Sequence, residues 1–378
     1  MLAADFFPMP PLKKHRHVRA ATLADVGRAA GVSAMAASTV LNAARTSSRI
    51  SPETRARILE AAARLSYRPN AAARALANRR MNTIGIAAVI DGGEFNSYFL
   101  EIFNGILETA AHHEQNTTVF ALHDWGRDPA RLPGLCDGRI DGLILIAPTL
   151  SREAAKGLPG HTPFVSLHAN ASLPHVVNIE SDEERGAYEM VRYLVAQGHR
   201  RILHAAGTPG LVGAERRVRG YRRALARAHL PFEPGLLIWT NFDRSSGRDA
   251  MRGWLKRHAG EPLPQAVFCA SDAVATGCLE ACAEIGLRVP DDLSVAGFDD
   301  TLAARTTVPQ LTTVRQPLRA MGNRAVEELL ARIQGRGGER SKISDATIVF
   351  PVDLVQRASV GPPPAAKRIV PPPRPVLL

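Results

Sequence analysis

The stretch TLADVGRAAGVSAMAASTVLN, residues 22–42, decides how the first part of this chain folds. Leu23, Val26 and Ala30 recur at the three-to-four-residue spacing that gathers side chains on one face of a helix. Gly31 follows, and glycine enters the left-handed conformation that closes a helix without a steric penalty. Ser33 then offers a hydroxyl to cap a second short helix running to Leu41. Downstream, Ser51-Pro52-Glu53 marks a third helix start. It supplies a cap, a proline whose missing N–H does no harm at the first position, and an acid in the first turn. Ile58, Leu59, Ala62 and Leu65 are expected to face the core from that helix. Three short helices, the first two joined by a glycine turn, make a helix-turn-helix unit.

Charge singles out the same region. Residues 1–80 hold 14 Lys and Arg against 4 Asp and Glu, whereas the remainder holds 33 against 32. Nearly all of the +11 net charge therefore sits in the first fifth of the chain. A basic patch beside a neutral body is the electrostatic footprint of binding to a phosphate backbone. Residues 1–20, which contain proline and clustered Lys and Arg, are expected to be a disordered basic arm.

From residue 83 the texture changes. Short apolar runs, IGIAAVI (84–90), TTVFAL (117–122), GLILIA (142–147), PFVSL (163–167), RILHAAG (201–207), AVFCAS (266–271) and LSVAGF (293–298), alternate with amphipathic helical stretches such as that near 99–114. Strands alternating with helices argue for parallel sheets covered by helices. Ligands bind beyond the carboxyl ends of such strands. Residues 83–357 are long for one doubly wound unit and imply two lobes with a cleft. The tail GPPPAAKRIVPPPRPVLL, here counted within 358–378, is expected to be disordered, extended and unpaired.

Other classes find less support. No run of about 18 apolar residues suggests a membrane span, and the N-terminus does not read as a secretory signal, so the expected location is cytoplasmic, on the nucleoid. Cys136, Cys269, Cys278 and Cys282 lack the CxxC or paired histidines of a zinc set and read as buried free thiols. Neither GxxxxGK[ST] nor HExxH is present. An enzyme, a cofactor and a metal are therefore not expected. The alternatives are a solute-binding or enzymatic relative that ignores DNA, and a purely architectural DNA-binding protein.

The runs TLADVGRAAGVS (22–33) and SPETRARILEAAARLSYRPNAAARALANRRMNTIGI (51–86) resemble the headpiece and hinge of the lactose and galactose repressor family. GAYEMVRYLVAQGHRRI (186–202), RVRGYRRAL (217–225), SDAVATG (271–277), VPDDLSVAGFDD (289–300) and LTTVRQP (311–317) resemble its sensor core, in the family's order. The resemblance implies a helix-turn-helix domain at 21–67, a hinge helix and linker at 68–82, and a two-lobed, Rossmann-like, periplasmic-binding-protein-like domain at 83–357. It implies a repressor that binds a palindromic double-stranded DNA operator as a homodimer. A small effector, such as a sugar or related metabolite, would switch its affinity.

Residue by residue, the resemblance assigns base reading to Ala34, Met35 and Thr39. Phosphate contacts fall to Thr22, Ser33, Ser38, Asn42, Arg45 and Arg68. Leu76 matches the leucine that wedges into the minor groove, where an apolar side chain unstacks a base step. Arg217, Asp299, Phe242, Tyr98 and His168 match effector-binding positions. Asp272 is read as organising its loop. Two departures stand out. Where the family commonly carries Thr-Val-Ser-Arg, this chain has Ala36, Ala37, Ser38 and Thr39, and the Asn42–Ser51 loop is about three residues longer. Without an arginine to read guanine, the half-site is expected to contain A·T pairs met through thymine methyls.

Overall fold

The computed structural model describes residues 19–42, 50–68, 80–90, 96–126, 131–335, 347–364 and 368–370. Arg45, Leu76 and most of the basic arm and hinge lie outside them. The chain divides into a unit ending at Met81 and a unit beginning at Asn82.

The first unit holds three helices, α1 (Leu23–Ala30), α2 (Ala34–Leu41) and α3 (Pro52–Arg64). Local capping explains their limits. The Asp25 N–H donates to Thr22 Oγ1 at 3.3 Å while the Thr22 N–H donates back to the Asp25 carboxylate at 2.9 Å. Gly31 ends α1 at φ 68°, and the Val32 N–H donates to the Gly27 carbonyl at 2.8 Å. A Cβ on Gly27 would lie 2.8 Å from the Val32 carbonyl oxygen, so glycine is what lets the turn close this tightly. Ser33 and Ser51 cap α2 and α3 through their hydroxyls. Val26, Ala30, Ala37, Val40, Ile58, Ala61 and Ala62 form the core. Leu59 does not join them and is 51% exposed. One residue is about 100° of helix rotation, and Ile58 with Ala61 and Ala62 already fills the inward face.

The second unit contains β1 (Thr83–Val89), α4 (Ser97–His112), β2 (Asn116–Leu122), α5 (Leu132–Leu135), β3 (Gly142–Ile146), α6 (Arg152–Lys156), β4 (Phe164–Leu167) and β5 (Val177–Ser181). Next come α7 (Glu183–Ala196), β6 (Ile202–Ala206), α8 (Val212–Arg227), β7 (Leu237–Trp239), α9 (Arg244–Arg257), β8 (Ala266–Cys269) and α10 (Asp272–Glu284). It ends with β9 (Ser294–Asp299), α11 (Leu302–Thr306), β10 (Thr312–Arg315), α12 (Leu318–Gln334), β11 (Thr347–Phe350) and β12 (Asp353–Val355).

Two sheets result, ordered β11-β5-β4-β3-β1-β2 and β12-β10-β9-β8-β6-β7, parallel throughout except for β12. Each is the doubly wound pattern, with helices burying both faces. The chain passes between lobes after β5, after β10 and after β11, since α12 packs with α4 on the first sheet. The strand β5 reads VNIES and carries three polar residues, all buried. The four cysteines are buried and free. Among the described residues no helix is long and apolar enough to cross a membrane.

Residues 368–370 of the tail are extended but paired. Leu263 N–H donates to the Arg368 carbonyl at 2.8 Å and Val370 N–H to the Glu261 carbonyl at 2.9 Å. Arg368 meets Asp292 at 3.0 Å, and Val370 is 1% exposed against the second lobe. Unpaired backbone at 260–263 and an apolar slot give this segment the partners that its proline content concealed.

His204, in β6, shows what the second core tolerates. It is wholly buried, stacked 4.7 Å from the Phe268 ring, with Nδ1 donating to the Phe268 carbonyl at 2.8 Å. Its Nε2 has no partner among the described residues. Burial pulls its pKa down to about 4. The folded state therefore stays neutral while the unfolded chain gains a proton below pH 6.5, and stability is lost as pH falls from 6.5 toward 4. At pH 5 that is about 2 kcal/mol. The variant His204→Phe should lose that much less stability than the wild type between pH 7 and 5 in urea titrations; equal losses would exclude it.

Candidate functional site

Left-handed backbone gathers at the strand ends. Among residues other than glycine, Ala147, His168, Phe242 and Asp299 have φ of 48°, 48°, 64° and 119°. They follow β3, β4 and β7 or close β9, and all four line one cavity of about 330 Å³. Such strain is maintained where surrounding structure holds a side chain for a purpose. Tyr98, from the first turn of α4, and Arg217, from α8, line the same cavity. The structure thus brings together all five residues that the resemblance assigned to effector binding.

Arg217 is 5% exposed. One terminal N–H₂ donates to Glu183 Oε1 at 2.9 Å and the other donates to the Ala270 carbonyl. The guanidinium carbon lies 4.1 Å from the Phe298 ring centroid and 5.2 Å from that of Phe242. Its Nε–H has no hydrogen-bond partner among the described residues. Gly207 permits the Phe242 placement, for a Cβ there would run into the Phe242 ring. Gly220 likewise admits the backbone of α7 against α8.

Residues that the sequence reading passed over complete the site. Glu183 is the first residue of α7 and is 4% exposed. Glu180, on β5, meets Arg216 at 2.9 Å, and Asn170 Oδ1 accepts from the Val212 N–H at 2.6 Å. Both contacts join the lobes across the cleft. Gln316 donates from Nε2 to Asp299 Oδ1 at 2.6 Å, and its Oε1 accepts from the Ser181 hydroxyl. Asp272, the first residue of α10, is not among the residues that line the cavity. Its carboxylate accepts from Thr313 Oγ1 at 2.6 Å and from the Thr301 N–H at 2.8 Å, which ties together the segments around β9 and β10 rather than its own loop. Burial pushes the carboxyls of both Asp272 and Asp299 up; repulsion from Asp299 adds to the first, and Arg217 moderates the second. Among the described residues no group of His, Cys, Asp and Glu could hold a metal ion.

In the helical unit, Ala37 and Val40 turn inward. Ala34, Met35 and Asn42 are exposed, Met35 by 79%, while Ser38 and Thr39 are half-buried. These five positions share the outer face of α2. Ser33 accepts from the Ala36 N–H, and both Ser33 and Arg68 are exposed. Thr22 differs. Its hydroxyl donates to Asp25 at 2.7 Å and its N–H is also taken by Asp25, so neither donor is free for a phosphate.

A small basic helix-turn-helix unit and a two-lobed domain with a polar cleft define a ligand-sensing regulator that binds DNA. Comparison agrees. Residues 22–70 match the family described as "Bacterial regulatory proteins, lacI family", and residues 191–360 match "Periplasmic binding protein-like domain". The transcriptional regulator DegA of Bacillus subtilis is 30% identical over 90% of this chain and 98% of its own. The transcriptional repressor PurR of Vibrio cholerae is 32% identical over 85% and 94%. Among solved structures, the lac repressor dimer bound to operator and the anti-inducer ONPF superposes with a TM-score of 0.77 at 28% identity, covering 91% of this chain and 100% of that one. A complex of the regulator CelR with cellobiose gives 0.66 at 28% identity over 90% and 99%. The chain belongs to the lacI family of bacterial regulatory proteins and is a transcriptional regulator with a ligand-binding domain.

Proposed function

We propose that this regulator is a repressor that binds a palindromic operator as a homodimer and releases or holds it in response to a small polar metabolite, such as a sugar. The observation that carries the reading is the convergence of Arg217, Asp299, Phe242, Tyr98 and His168 on one cavity at the carboxyl ends of two parallel sheets. Aromatic faces beside paired carboxylates and guanidiniums suit a ring that bears hydroxyls. The operator-bound lac repressor and the cellobiose-bound CelR support the two halves of this assignment. Residues 21–67 are the DNA-binding domain in this reading, 68–82 the hinge that carries the Leu76 wedge, and 83–357 the sensor.

Ala34, Met35 and Thr39 read bases, while Ser33, Ser38, Asn42, Arg45 and Arg68 contact phosphates. Thr22 is left out of the phosphate set because Asp25 occupies its donors. Selection of duplexes by the full chain, with and without neutral sugars, tests the reading. Log K for the selected site should fall by about 0.9 per phosphate neutralised as log salt rises. Thr39→Ala should relax preference at one symmetric base position and leave the salt slope unchanged. An unaltered sequence preference removes Thr39 from the reading set.

A further inference from the structure

The hydrogen bonds around His168 determine where its proton sits. Nε2 lies 3.3 Å from both the backbone nitrogen and the hydroxyl oxygen of Ser181, and Nδ1 lies 2.6 Å from the Tyr98 hydroxyl. The Ser181 amide proton is aimed at Nε2 and can only be donated, which selects a bare Nε2 over the other tautomer, in which Nε2 would donate to Ser181 Oγ. A neutral imidazole has one proton, which must then be on Nδ1 and given to the Tyr98 oxygen. Burial pulls the His168 pKa down to about 4 and pushes that of Tyr98 up, so near neutral pH the ring is uncharged and the phenol keeps its proton. That phenolic proton is not used on His168. Turning the Gln316 amide over would reverse its bonds to Ser181 Oγ and Asp299, but no rotation reverses the Ser181 amide.

We propose that His168 and the Ser181 amide form a tautomer lock that makes the Tyr98 hydroxyl an obligatory donor into the cavity, so the effector meets it with a lone pair. This rests on the reading of the cleft as the effector site. A hydroxyl, ether, carbonyl or ring nitrogen qualifies at this point. An ammonium does not, although Glu180, Glu183, Asp243 and Asp299 line the cavity against only Arg216 and Arg217. His168 and Ser181 are positioning residues: they act on the effector through Tyr98.

The lock is visible without any ligand. Long-range proton–nitrogen correlation spectra of the full chain, labelled with ¹⁵N-histidine at pH 7.5, should show, besides that of His204, a ring with protonated Nδ1 and bare Nε2 that disappears in His168→Gln. Should that variant not fold, Tyr98→Phe assigns the same ring through the shift of its Nδ1. A His168 ring protonated on Nε2, or averaged between tautomers, overturns the proposal. The second arm titrates glucose, galactose, ribose and cellobiose. For any that binds, Tyr98→Phe should weaken affinity by about three- to tenfold, the range of one hydrogen bond, and unchanged affinity again overturns the proposal. If none binds, the effector reading is what fails, while the tautomer spectrum still decides the lock.

Discussion

Glu183→Ala is expected to cost the sensor domain about 3–5 kcal/mol, because it leaves the buried Arg217 guanidinium without its counter-charge. Arg217 and Glu183 are 5% and 4% exposed, and their 2.9 Å contact is the only salt bridge that Arg217 makes among the described residues. An uncompensated buried cation is far more expensive than the absence of the pair. The double variant Glu183→Ala, Arg217→Met should therefore recover much of the lost stability, since methionine can still cover Phe298 and Phe242. Urea unfolding of the three proteins checks this. A loss below about 1 kcal/mol in Glu183→Ala, the range of exposed pairs, would mean that water reaches the guanidinium.

Asp299→Ala is expected to abolish the effect of effector on operator binding while leaving affinity without effector near its original value. Asp299 lines the cavity at the end of β9 and is tied by Gln316 to the crossover that follows β10. A ligand shifts two lobe arrangements only by its difference in affinity for them, typically about 1–3 kcal/mol of coupling, or five- to 150-fold in operator affinity. Fluorescence anisotropy with labelled operator, with and without the sugar that binds, measures this ratio. A ratio unchanged by the substitution, with DNA binding lost, would make Asp299 a structural acid.

Most helix limits of the first unit were legible because caps are local: Gly31, Ser33 and Ser51 act within four residues of themselves, whereas the Thr22 cap was read only as a phosphate contact. Leu59 misled because a stripe is read on a wheel, whereas alanines at 61 and 62 let the helices approach too closely to need it. Seven strands announced themselves as apolar runs. The strand Val177–Ser181 did not, for its Asn178, Glu180 and Ser181 are polar residues buried toward the cleft. Glu183 was invisible for a different reason. An acid in the first turn of a helix looks like an ordinary partner for the helix dipole. Only the packing of α8 on α7 shows that it faces Arg217. The pairing of residues 368–370 was missed because composition reports what a segment can do alone, and Val370 is held by a slot elsewhere in the chain.

The two contacts that join the lobes across the cleft, Glu180 with Arg216 and Asn170 with the Val212 amide, resist any motion that parts the walls of the chamber. A guest small enough to fit without breaking them adds its own contacts to both walls and would make shutting more favourable. A bulkier guest that needs the walls apart would have to separate Arg216 from Glu180. Guest dimensions, rather than any change of fold, would then set the polarity of gene control. Lengthening a tolerated guest by one unit is expected to turn an agonist into an antagonist.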